Sequence, residues 1–228
     1  MTDRERWDGW LGPKQWIPIV GVLSLAMIAL AVLLVLNIGD DDGGTAPRNT
    51  TAGRVPSHEH ADFLVVIRGQ KFDFNKPEFL SDPEGKELSQ NVHLHLPRTT
   101  VVHVHTTLTT WDEFFSSLGF KLDDPSFPGV PEDKTCMTLP DKTKLCNTAT
   151  EKWKFVANGV QVDGMSNVHI GDLDRVLFSY GPETFDQVMK DQWPQVSDQA
   201  CIPSEVCRER IPANEPPETC SGRGICSR

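Results

Sequence analysis

The 228-residue sequence predicts an α+β domain, a mixed sheet with one packed helix, preceded by a single transmembrane helix and followed by a disulfide-stapled tail. Three observations predict it. A charge-free apolar run occupies residues 16–39, strand and turn patterns flank one amphipathic helix between residues 61 and 181, and all six cysteines lie beyond residue 135.

The apolar run "WIPIVGVLSLAMIALAVLLVLNIG" (16–39) follows a short mixed-charge leader (1–15). At about 1.5 Å per residue it is long enough to cross a hydrocarbon core of roughly 30 Å. It exceeds the roughly 7–15-residue apolar region of a signal peptide, and no small-x-small cleavage pattern follows it, which favours an uncleaved anchor. Arg4, Arg6 and Lys14 precede the run, whereas the far flank begins with three aspartates and meets its first arginine at Arg48. That asymmetry predicts a cytoplasmic N-terminus and an extracytoplasmic remainder. Residues 40–56 are rich in Gly, Pro, Thr and Asp with almost no large apolar side chain, the composition of a flexible linker that cannot bury a core.

The folded domain is expected over 57–182. In "HADFLVVIRGQKFDF" apolar residues flank Arg68-Gly69, a hairpin pattern. In "KWKFVANGVQVDG" the Asn158-Gly159 pair is a strong two-residue turn, because both central positions need positive φ. "RVLFSYG" (175–181) reads as the last strand, entered through the turn "IGDLD". Between the hairpins, Thr110 and Glu113 fit a capping box and Gly119 a left-handed stop. Trp111, Phe114, Phe115 and Leu118 recur at helical spacing and form a core-facing stripe.

Six of the seven histidines stand in three H-x-H pairs: His58 and His60, His93 and His95, His103 and His105. Side chains alternate across a strand, so each pair shares one face while its aliphatic neighbours share the other. His93, His95, His103 and His105 all carry odd numbers and fall on one face only if paired positions sum to an even number, for example 95 with 103 and 93 with 105. A one-residue slip would expose one arm's apolar set, so burial selects the even register. His58, His60 and Asp62 share parity and offer a second arm of ligands. Such faces also suit a half-exposed polar strand with structural histidines. Three same-parity pairs point instead to a transition metal, Cu(II) or Zn(II), because neutral imidazole is a common ligand for both. Cu(I) is disfavoured, since Met137, Met165 and Met189 are scattered. Catalysis would need an open coordination position and a base such as Glu59, so a binding protein is expected more than an enzyme.

"CMTLPDKTKLC" encloses an excursion after the helix, which makes Cys136–Cys146 the most local bridge. In the tail (183–228), Cys201, Cys207, Cys220 and Cys226 allow three pairings, with the local Cys201–Cys207 and Cys220–Cys226 preferred and the crossed ones open. No C-x-x-C occurs, so staples are favoured over dithiol catalysis. The net charge of −10 argues against nucleic acid or an anionic membrane surface as the partner, since both demand a basic patch.

The order hairpin, helix, hairpin, strand over Asp62–Gly181 resembles the β-grasp (ubiquitin-like) folds, particularly the sulfur-carrier-like and soluble-ligand-binding versions. Sulfur carriers end in a free Gly-Gly carboxyl terminus, whereas Gly181 is followed by Pro182 and a long tail, which argues against that chemistry. With "HEHADF", "HLH…VHVH", "DLDRVLFSYG" and the terminal cysteines, the chain is similar to a group of membrane-anchored proteins of candidate-phylum bacteria and archaea. Some of these carry a disulfide-isomerase label. Three functions are therefore expected in turn: metal capture, delivery or sensing; thiol–disulfide exchange at the cell surface; and a module for a protein partner there.

Overall fold

The computed structural model describes residues 53–81, 86–126 and 129–214. The predicted membrane span, most of the linker, Cys220 and Cys226 lie outside them, and among the described residues no helix is long and apolar enough to cross a membrane.

The chain forms an α+β domain with a mixed sheet. Its strands are β1 (Pro56–Ile67), β2 (Gln70–Lys71), β3 (Val92–His93), β4 (Val101–Thr106), β8 (Lys152–Ala157), β9 (Val160–Val162) and β10 (Arg175–Gly181). A smaller three-stranded sheet holds β5 (Lys121–Asp123), β6 (Cys136–Thr138) and β7 (Lys144–Cys146). Among the described residues the α-helices are α1 (Trp111–Ser117) and α2 (Phe185–Asp191). In the main sheet the order is β3-β4-β1-β10-β8-β9, with β2 turned back on β1. β1 and β10 run parallel at the centre, and their neighbours β4 and β8 are antiparallel to them. The continuous apolar runs "FLVVI" and "VLF" suit strands covered on both faces. Both expected two-residue turns form with consecutive positive φ values, Arg68 (51°) with Gly69 (76°) and Asn158 (51°) with Gly159 (82°).

One face of the sheet carries the main core. Ala61, Phe63 and Val65 of β1, Val102 and Val104 of β4, and Phe178 of β10 pack there against wholly buried Trp111, Phe114 and Phe115 of α1. The other face of β1 changes character along its length. His58 and His60 come first, then Asp62, then Leu64 and Val66, which join Val156 and Leu177 in a second core.

That second core corrects the expectation of one packed helix. α2 covers it with Val188, while Phe185, Met189 and Trp193 pack alongside. Thr184 accepts from Gln187 N, and the Gln187 side chain accepts from Thr184 N, a complete capping box. Seven residues are too few for a clear helical period in a polar segment, so only the exposed apolar face of the sheet reveals why the helix forms. The stretch after α2 is likewise part of the domain, with Val196, Ala200 and Ile202 buried.

At α1 the expected capping box is only half made. Thr110 accepts from Glu113 N, but the Glu113 carboxylate turns to Arg54, at 2.5 and 3.1 Å, and to Asn91 Nδ2 at 2.8 Å. Arg54, in the segment read as linker, also donates to Leu108 O and is 8 % exposed in its side chain. Burial opposes ionisation of Glu113, but the bonds from Arg54 and Asn91 and the Arg54 charge outweigh it and hold the carboxyl below its ordinary value. A depressed carboxylate contributes stability above its unfolded pKa and loses it as pH falls through the folded one. Arg54→Ala is expected to cost about 1–3 kcal/mol at pH 7. In urea melts the gap from wild type should shrink below about pH 4 as Glu113 protonates; a pH-independent gap would refute the pairing.

Candidate metal centre

The three H-x-H pairs come together because β4 lies between β3 and β1. His103 of β4 is directly opposite His93 on one side and His60 on the other. The aliphatic partners occupy the same register on the core side: Val104 opposite Val92, and Val102 opposite Ala61. Burial of those neighbours therefore holds the row of imidazoles on the opposite face. His60, His93 and His103 are buried, at 0, 2 and 1 % exposure, while His95 and His105 are half-buried and His58 is exposed.

The even register expected for the hairpin is present, but it is shifted by two. His93 pairs with His103, not with His105. β3 is only two residues long, and 94–100 leave the ladder, with Leu94 O accepting from Ser81 N at 2.8 Å. His95 thus leaves the ladder and lies over His103, with ring centroids 3.9 Å apart, its Nδ1 engaged with Leu96 O at 2.7 Å. A register shift in β1 between Pro56 and Glu59 places His58 against both His60 and His105, at 4.5 and 5.4 Å. The remaining separations are 4.6 Å for His60–His103, 5.9 Å for His93–His103 and 4.8 Å for His93–His105. Five rings form a closed circuit, 58–60–103–93–105, and His95 leans on two of them. Within it, His58, His60 and His103 each offer a nitrogen, all within 4.8 Å of one another, a set that could hold a metal ion. His169 stands apart, bridging to Thr110 at the start of α1.

The tail contributes what the sequence did not announce. Ser204 Oγ contacts His60 Nδ1 at 2.8 Å and donates to Asp172 Oδ1 at 2.7 Å. A carboxylate only accepts, so the hydroxyl proton is committed to Asp172 and the hydroxyl oxygen accepts from Nδ1–H. That assignment leaves the His60 Nε2 lone pair as the ligand atom, the arrangement by which an outer partner fixes a metal-binding tautomer. Asp172 Oδ1 also accepts from His60 N at 3.0 Å, which ties the turn before β10 to the same strand.

Two expected ligands or helpers take other roles. Asp62 is 1 % exposed and accepts from Ser197 Oγ, Gln199 N and Ala200 N at 2.5, 2.9 and 2.8 Å. Its oxygens anchor the tail instead of facing the rings. Glu59 lies opposite Val104, on the side of the strand away from the imidazoles. Burial, then the charges of Asp172 and Asp174, push its carboxyl above the ordinary range.

Cys136 and Cys146 form a disulfide between directly paired residues of β6 and β7, and Cys201 with Cys207 closes the loop that carries Ser204. Among the described residues no cysteine is free. Comparison of the chain with protein-family models, with curated proteins and with solved structures finds no match to any of them.

Proposed function

We propose that this chain is a membrane-anchored, extracytoplasmic protein whose β-grasp-like domain binds a transition metal, Cu(II) or Zn(II), through the histidine face, for capture, delivery or sensing. The observation that carries the reading is the convergence of His58, His60 and His103 nitrogens within 4.8 Å. Modest side-chain rotation brings such nitrogens to the roughly 2.0–2.1 Å that a bound zinc requires. An all-nitrogen donor set, with the described thiols tied up in disulfides, suits Cu(II) or Zn(II) better than a soft ion. The sheet order, with a parallel central pair between antiparallel neighbours, supports the β-grasp-like reading. The disulfides support an oxidising compartment, and the apolar run at 16–39 supports the anchor. Because Glu59 faces away from the rings, binding is favoured over catalysis.

Detergent-solubilised full-length protein, exposed to copper or zinc and desalted, should retain metal measured by mass spectrometry. Changing all six clustered histidines to glutamine should abolish retention, whereas His169→Gln should leave it intact. Since the buried positions also support the sheet, His58→Gln at the exposed edge provides a second reading, with affinity expected to fall by about 10–100-fold. Unchanged metal content and affinity in both variants would overturn the proposal.

A further inference from the structure

Six imidazoles in mutual contact exceed what one four-coordinate ion can use. Two nitrogen-bound rings on the same tetrahedral ion have centroids roughly 5 Å apart, given metal–nitrogen bonds of about 2.0–2.1 Å. The first group, His58, His60 and His103, meets that spacing along its contacts. A second group that shares no residue with it lies beside it in a more open arrangement: His93 is 4.8 Å from His105 and 5.8 Å from His95, and rotation of the His95 ring from its contact with His103 at 3.9 Å toward His93 would close the trio. The two groups abut, His93 facing His103 at 5.9 Å and His105 facing His58 at 5.4 Å.

We propose that the histidine face holds two metal ions side by side, one on His58, His60 and His103 and a second on His93, His95 and His105. The inference rests on the metal-binding reading above and adds the stoichiometry and the second donor set. Each H-x-H pair follows from strand periodicity, but two separate trios require three strands. β1 supplies two rings to the first ion, the β3 segment supplies two to the second, and β4 gives one to each. The Ser204–Asp172 pair serves the first ion through His60. The second borders the half-buried His95, beside the exposed Leu96.

Titration of the full chain with Cu(II), followed by desalting, should retain two ions per chain. The paramagnetic resonance spectrum should be broadened and show a half-field transition, because neighbouring Cu(II) ions couple through space by their dipoles. His93→Gln with His95→Gln should reduce the stoichiometry to one and restore the spectrum of an isolated Cu(II) ion, and His58→Gln with His60→Gln should do the same from the other side. One ion per wild-type chain would overturn the second site while leaving the single-metal reading standing. No bound ion would overturn both. Two ions retained by the His93/His95 variant would place the second elsewhere and also overturn the proposal.

Discussion

Asp124→Ala is expected to destabilise the domain by about 3–5 kcal/mol, a downward shift in melting temperature on the order of 10 °C. The carboxylate is wholly buried and accepts five hydrogen bonds: Ser126 N and Oγ at 3.0 and 2.5 Å, Met165 N at 2.7 Å, and Ser166 N and Oγ at 2.8 Å each. Removing one acceptor strands several donors at once, two of them buried backbone amides, and each unsatisfied buried group costs about 1–3 kcal/mol without simple additivity. The junction matters because Ser166 O and Val168 O accept from Asp112 N and Trp111 N, so the loop beneath Asp124 also receives the first turn of α1. Gly164 provides an independent check. A Cβ there would meet Asp124 Oδ1 at 2.5 Å and Ser126 N at 2.7 Å, so Gly164→Ala should also be severely destabilising. Thermal melts of both variants, followed by circular dichroism, test the junction, and a loss below about 1 kcal/mol for Asp124→Ala would show that water replaces the carboxylate.

Ser204→Ala and Asp172→Asn are expected to weaken the metal binding proposed for the histidine face by about 10–100-fold each, the usual effect of removing a group that orients a ligating histidine. Ser204 reaches His60 only because the loop closed by Cys201 and Cys207 is held against Asp62 by Ser197, Gln199 and Ala200. The double variant Cys201→Ser with Cys207→Ser should therefore reproduce much of the Ser204→Ala loss while sparing the sheet. Competition titrations against a chromophoric chelator measure all three. Combining Ser204→Ala with Asp172→Asn should cost little beyond either alone, since both act on one proton. Full additivity would mean that the two residues act on the site separately.

The helix at Trp111–Ser117, the hairpin turns at Arg68-Gly69 and Asn158-Gly159, and the strand at Arg175–Gly181 were legible because their signals are local: a helical apolar period, turn dipeptides and an apolar run. α2 was not, since seven residues around Val188 form a helix only where an apolar sheet face awaits them. Glu113 could be identified as a helix N-terminal residue but not assigned its partner, because Arg54 lies 59 positions earlier. The departure of His95 from the ladder was not legible, because Leu94 O bonds to Ser81 N, a contact that the symmetry of the two H-x-H pairs does not encode.

The sequence by itself determined that His93 and His103 would share a face, because alternation ties each to aliphatic neighbours that must leave water. Tertiary structure alone decided that β1 would lie beside β4, which gathers three pairs into one site instead of two. It also brought Ser204 to His60 across 144 residues and turned Asp62 and Glu59 away from the rings. Contacts of that span arise from the packing of whole faces, and no local period encodes them.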